Sequence, residues 1–343
     1  MLKFRVKTYI AITAIILAVI LIGVGIFIFL KNKTVVPSPD PNVTVEIIED
    51  RHPLNGQPIA DGNFSFFPIA IMIDNAYNIR PQYGLSQADI IYEALAESNI
   101  TRLLAIFDSR QSLEKIGPVR SARPYFMDWA EEYSGIYMHV GGSPQALAAI
   151  SQYDFTNIDQ IGIGETYFWR DKNKSAPSNV LTSSANWLRV GEIKSVQKFD
   201  TVLAKKIAWN FIEPTASTTP PDFSVNFSAD IYKVDWQYND KLGAYERSQG
   251  GDKFVFDTGE QAFANNIIVQ IVKSSLLDVE RRQMETKTTG PVFIFNQWGQ
   301  QSGQWKYQDG RTKFFADDGS ELKLVPGKTW VEVIDSEDKL VTK

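Results

Sequence analysis

Twenty-two consecutive residues, YIAITAIILAVILIGVGIFIFL from Tyr9 to Leu30, carry no charge, and no other feature constrains the chain as strongly. As a helix rising about 1.5 Å per residue, the run spans roughly 33 Å, enough to cross a hydrocarbon core about 30 Å thick. The apolar region of a secretory leader is shorter, about 7–15 residues, and ends at a small-residue cleavage site. This run stays bulky and β-branched to its end, and no A-x-A pattern follows. The sequence therefore predicts a transmembrane signal anchor over 9–30, with residues 1–8 as a cytoplasmic tail. Lys3, Arg5 and Lys7 precede the span, while Lys31 and Lys33 come after it. The positive-inside rule then places the bulk of a single-pass cell-membrane protein on the extracytoplasmic side.

Leaving those five cations aside, the chain sets 30 of its 35 basic residues against 40 acidic ones. An acidic surface of this kind excludes general nucleic-acid binding, which needs a basic footprint for the phosphate backbone. With no cysteine, the chain has no disulfide, thiol nucleophile, thiolate metal site or lipidated cysteine. Its two histidines, His52 and His139, exclude a multi-histidine metal centre. No Walker loop, dinucleotide fingerprint, H-E-x-x-H or G-x-S-x-G occurs, so neither a cofactor nor a metal is expected.

Composition shifts divide the chain beyond the anchor. VVPSPDPN opens a Pro-containing spacer assigned to 31–63, and EPTASTTPPDF marks a linker at 213–222. Between them, 64–212 reads as a mixed α/β domain. FPIAIMIDN is a continuous apolar run, the pattern of a buried strand, and it delivers Asp74 to a loop; TRLLAIFDS repeats the form. Residues 223–343 alternate aromatic and β-branched runs with turn signals such as SQGGD and DDGS, and read as a β-rich domain. The fold class is α+β. The aromatics Trp236, Tyr238, Trp298, Trp305, Tyr307 and Trp330 are either strand core or a stacking platform.

Candidate chemistry gathers in the first domain. Residues 88–108 form either a hairpin turning at Ser98-Asn99 or a helix and then a strand. Under both readings the spacing of four puts Glu93 and Glu97 on one face. In the hairpin, Arg102 joins them opposite Leu95. Two carboxylates with a guanidinium are what acid–base chemistry on a glycan needs, with Asp74 as a third candidate; they are also what a structural ion pair needs. In GPVRSARPYF, Arg120 and Arg123 sit in a loop, and a planar guanidinium binds carboxylate or phosphate through two parallel hydrogen bonds. In HVGGSP, Gly141 and Gly142 permit close backbone approach, and Ser143 caps a helix whose N–H groups favour an anion. His139, after an apolar run, is either a ligand contact or a satisfied core group. In YFWRDKNKSAPSN, Arg170 and Asn179 are either ligand contacts or parts of an ordinary loop network.

Taken together, FPIAIMIDN, RPQYGLSQADIIYEAL, ITRLLAIFD, IGPVRSARPYF and HVGGSPQALAAI resemble the YerB-like family of bacterial envelope proteins, over about residues 64–340. The resemblance implies a two-domain extracytoplasmic protein and supplies no reaction, because the family is a domain of unknown function. Two departures stand out. Family members are often lipoproteins, whereas this chain has no cysteine to acylate. The family loop commonly reads Pro-His-Asn where this chain has Pro177-Ser178-Asn179.

Three functions fit these residues. The first is binding of an anionic envelope ligand, whether a wall polymer, a peptide carboxylate or a partner protein, by the Arg/Gly-rich pocket. The second is hydrolysis or transfer on a glycan or phosphodiester by the paired carboxylates. The third is an interaction scaffold whose charge cluster is structural.

Overall fold

Strand β1 (Pro68–Asp74) is buried along its whole length, as its unbroken apolar run requires. It belongs to a ten-stranded mixed sheet. With β2 (Ile90–Leu95), β3 (Thr101–Asp108), β4 (Ile136–His139), β5 (Thr156–Asp159), β9 (Asn266–Ile271), β10 (Thr289–Asn296), β11 (Gly299–Gln308), β12 (Arg311–Phe315) and β13 (Thr329–Ile334), the spatial order is β12-β11-β10-β9-β13-β2-β3-β1-β4-β5. A second antiparallel sheet is built from β6 (Phe223–Asn226), β7 (Lys233–Asn239), β8 (Ala244–Gln249) and β14 (Leu340–Thr342), with the short pieces Asp252–Lys253 and Phe263–Ala264 on β8. This computed structural model describes residues 50–59, 63–214 and 219–343. The predicted tail, the anchor over 9–30 and residues 31–49 of the spacer lie outside the described residues, as does part of the linker. Among the described residues, no helix is long and apolar enough to cross a membrane.

The large sheet separates two cores. Ile71, Ile91, Leu103 and Trp330 point to one side and pack against Val234, Trp236 and Tyr245 of the small sheet and Trp187 of helix α3 (Ser184–Ile193). Met72, Tyr92, Leu104 and Val331 point to the other, against Phe126, Trp129 and Ala130 of α1 (Pro124–Glu131) and Ile207 of α4 (Thr201–Ile207). Trp236, Trp305 and Trp330 are fully buried and belong to the core, whereas Tyr238, Trp298 and Tyr307 are half-buried. The spacer assigned to 31–63 ends earlier than the composition suggested. His52 and Leu54 are already buried, with His52 stacked on Phe66 and its Nε2 2.9 Å from Asp108 Oδ2.

The fold is a sheet-rich α+β arrangement in which the two predicted domains share one sheet. β13 inserts beside β2 in parallel, from Thr329 opposite Ile90 to Val333 opposite Ala94, and Glu49–Lys343 form one compact unit. Seven strands, β1, β2, β4, β5, β9, β11 and β13, run the same way. Their carboxyl ends therefore crowd one edge, the place where open α/β sheets bind ligands.

Candidate functional site

The loop carrying Arg120 and Arg123 fills a fork in the sheet. β1 and β4 pair from Ile69–Ile136 to Ile71–Met138 and then part. Arg120 enters the gap: its N–H donates to Met72 O at 2.9 Å and its carbonyl accepts from Val140 N at 3.0 Å. Ala122 N and Ser143 N continue the stitch to Gly141 O and Ala122 O. Proline at 118 and 124 suits an extended plug between two loops rather than a helix, and α1 begins only at Pro124, the favoured first helical position.

The plug sets Arg120 Nε 3.1 Å from Asp74 Oδ2, and the second contact of that oxygen is Ser178 Oγ at 2.5 Å. The terminal nitrogens of Arg120 make no hydrogen bond among the described residues, and burial lowers the pKa of its guanidinium against the opposing pull of Asp74. Arg102 and Arg123 differ. Both bind Glu97, Arg123 Nη2 at 2.6 Å from Oε2 and Arg102 on Oε1, while their other nitrogens donate to Ser121 O and Ala122 O. Burial alone would raise the Glu97 carboxyl, but the two guanidinia outweigh it and hold its pKa at about 2. The three charges tie the β2–β3 turn to the plug.

Glu93 does not share that face. The hairpin reading of 88–108 is the one observed, but Arg102 lies opposite Ala94 rather than Leu95. β2 ends at Leu95, and the turn through Ala96 (φ −112°, ψ −140°) breaks the alternation that the four-residue spacing assumed. Glu93 therefore enters the opposite core, fully buried, with Arg247 Nη2 2.5 Å from Oε2 and Asn75 Nδ2 2.9 Å from Oε1. Glu93 and Glu97 cannot flank one substrate bond as acid and base.

In the Gly141–Ser143 turn, the amides of Gly141 and Ser143 donate within the fold. Gly141 N donates to Asp159 Oδ1 at 2.7 Å, Ser143 N to Ala122 O, and Ser143 Oγ accepts from Ala146 N as an N-cap. The helix it opens, α2 (Pro144–Ala149), has only six residues, and Gly142 packs against Leu147 and Ala122. His139 has no exposed surface; Nδ1 donates to Gly141 O, and Nε2 lies 2.7 Å from Asn157 Oδ1. Gly141, Ser143 and His139 thus make their hydrogen bonds within the fold. Arg170 donates to Asn179 Oδ1 at 2.8 Å, and Asn179 Nδ2 donates to Lys174 O, which shapes the loop holding Ser178.

That loop forms one wall of a cleft of about 410 Å³, with Asn173, Lys174, Ser175 and Ser178 facing Asn78 and Arg80. A second cleft, about 270 Å³, is lined by Tyr77, Arg80, Pro81, Gln249, Phe254 and Val255 among others. Arg80 lines both. Its Nε and Nη2 donate to Asn75, and Tyr77, Tyr232 and Phe254 surround its guanidinium at 5.4–5.8 Å. Burial, then Arg247, bring its pKa down to about 10. Arg102, Arg120, Arg123 and Arg247 each have a carboxylate within 4.0 Å; Arg80 has none among the described residues. No sequence motif singled out Arg80, although Arg80-Pro81 between Tyr77 and Tyr83 repeats the Arg-Pro signal of Arg123-Pro124. No group of three or more His, Cys, Asp or Glu side chains converges as a metal site among the described residues.

Two family models match this chain: the N-terminal domain of a protein of unknown function (DUF3048) over residues 54–196, and the C-terminal domain of the same family over 223–331. The chain belongs to the DUF3048 family. A curated relative, "Putative lipoprotein YerB" of Bacillus subtilis (strain 168), is 31% identical over 278 residues, covering 78% of this chain and 81% of the relative. The crystal structure of the YerB protein from Bacillus subtilis superposes with a TM-score of 0.76 at 29% identity, over 85% of this chain and 99% of that one. The two DUF3048 domain models thus fall on the two segments that share the ten-stranded sheet.

Proposed function

We propose that this DUF3048 protein is a membrane-anchored, extracytoplasmic binding protein that holds an anionic group of a cell-envelope ligand in the cleft beside Arg80. Anchoring is supported by the uncharged run from Tyr9 to Leu30 and by the lipoprotein name of its Bacillus relative. The observation that carries the binding reading is Arg80 itself, a half-buried cation with no carboxylate partner among the described residues, opening on two clefts at the carboxyl edge of the sheet. A buried charge without a counterion is unfavourable, and a ligand anion relieves it with charge-assisted hydrogen bonds. Lys174 and the free end of Arg120 add positive potential at the same edge. Hydrolysis by Glu93 and Glu97 has no geometric support, since the two lie on opposite faces.

Co-sedimentation of the full-length chain, in detergent, with purified cell-wall sacculi tests this reading. The wild type is expected to pellet, and Arg80→Gln to lose at least tenfold in affinity at an unchanged melting temperature. Soluble fragments released from the sacculi would replace binding with catalysis. A chain that stays in the supernatant would remove the wall as its ligand.

A further inference from the structure

The two clefts meet at the guanidinium of Arg80, and their walls differ. On one side, Tyr77 is 47% exposed and Val255 36% exposed, beside Pro81 and over the buried Phe254, so apolar groups line the rim of that hollow. On the other side, the wall consists of short uncharged polar groups, Asn78, Asn173, Ser175 and Ser178, with Lys174 tied down through Nζ to Ile79 O at 2.9 Å. Each hollow alone is near the lower bound for a small-molecule site, roughly 300 Å³, so one compact ligand does not account for both. A ligand extended across Arg80 does.

We infer that the occupant is an anionic glycan strand, with its acid group on Arg80, one sugar ring on the Tyr77–Val255 surface and hydroxyls along the Asn78–Asn173 wall. This rests on the anion-binding reading above and names the ligand class for the same site. The chemistry discriminates in three ways. Amide and hydroxyl side chains both donate and accept, which matches sugar hydroxyls, whereas a peptide carboxylate offers only acceptors at its end. A ring with a C–H face lies on an exposed tyrosine with its hydroxyls turned to water, while an aliphatic peptide side chain calls for an enclosed apolar pocket, and neither hollow is apolar on all sides. The exposed pair Asp252 and Lys253 at the rim of the Tyr77 hollow cancels in charge, so Arg80 sets the sign there, and Lys174 reinforces it in the other hollow.

Isothermal titration of the full-length chain in detergent micelles, with four probes, tests the inference: tetragalacturonate, its neutral methyl ester, N-acetyl-Ala-Ala carboxylate and inorganic phosphate. Tetragalacturonate is expected to bind at least tenfold more tightly than the other three. Tyr77→Ala and Asn173→Ala, both at exposed positions and neither expected to move the melting temperature, should each weaken tetragalacturonate several-fold and leave phosphate unchanged. Arg80→Gln should weaken both. If neither Tyr77→Ala nor Asn173→Ala affects tetragalacturonate, or if the dipeptide binds more tightly, the glycan assignment is overturned while anion binding at Arg80 stands. If Arg80→Gln leaves phosphate and tetragalacturonate unchanged, the anion site itself is wrong and the glycan falls with it.

Discussion

Glu97 shows how one carboxylate can look catalytic in sequence and be structural in the fold. Its pKa of about 2 comes from Arg102 and Arg123, which overcome the opposing effect of burial. A carboxyl depressed in the folded state adds stability that is fully present above its unfolded value, near 4.5, and that is lost as pH falls toward 2. Glu97→Gln should therefore lower stability at pH 7 by about 2 kcal/mol, discounted for a side chain one-quarter exposed, and the two proteins should converge only as pH falls to about 2. Urea unfolding against pH measures this; parallel curves down to pH 2 would show that the arginines do not hold Glu97. Arg80 is the converse case. Arg-Pro stands at both 80 and 123, but only the fold reveals which guanidinium is neutralised, because Glu97 reaches Arg123 through a hairpin turn whose register the sequence leaves open.

At the scale of elements, apolar runs located β1, β3, β9, β10 and β13: β1, β3 and β13 are buried along their whole length and β9 nearly so, which keeps polar residues few, and β10 is buried over its second half. The same property made β2 ambiguous: all six of its residues are buried, so no alternation distinguishes strand from helix. The fork that seats Arg120 depends on a position that motif reading does not reach. Gly135, just ahead of β4, lies so close to β1 that a Cβ would sit 2.0 Å from Pro68 O, a backbone atom unable to give way cheaply. Gly135→Ala should push β4 from β1, cost about 1–3 kcal/mol as overpacking does, and weaken ligand binding by displacing Arg120. Gly162, with nothing within 4 Å of its Cβ position, supplies the control. Gly162→Ala should change stability by no more than about 1 kcal/mol and leave binding intact. Equal effects at the two glycines in thermal melts would refute the role given to close β1–β4 approach.

For the molecule as a whole, the composition break near residue 213 marks a boundary between family domains but not between folding units, because β13 of the second segment pairs with β2 of the first. No local pattern records a pairing between residues 90 and 329, which is why the shared sheet was not legible. The joint is reinforced by charge. Glu93 from the first segment and Arg247 and Glu332 from the second are fully buried together; Trp236 Nε1 donates to Glu332 Oε1 at 2.8 Å, and Arg247 lies 4.3 Å from the Phe254 ring centre and 4.5 Å from that of Trp330. Removing Arg247 leaves the buried Glu93 without its ion-pair partner, so Arg247→Met should cost about 3–5 kcal/mol, whereas breaking the exposed Lys273–Glu285 pair should cost under about 1 kcal/mol. Burial first, and then Glu93, raise the Glu332 carboxyl to about 8. Here the native state holds a proton that the unfolded chain releases near 4.5, so this group makes stability fall as pH rises from about 4.5 to 8. Glu332→Gln, which mimics the protonated form, should flatten that decline and leave the variant more stable than the wild type near pH 8. Calorimetry of both proteins across that range should give one cooperative transition each, spanning both family domains. Two separate transitions, or a slope that Glu332→Gln leaves unchanged, would mean that the charged joint does not couple the two halves.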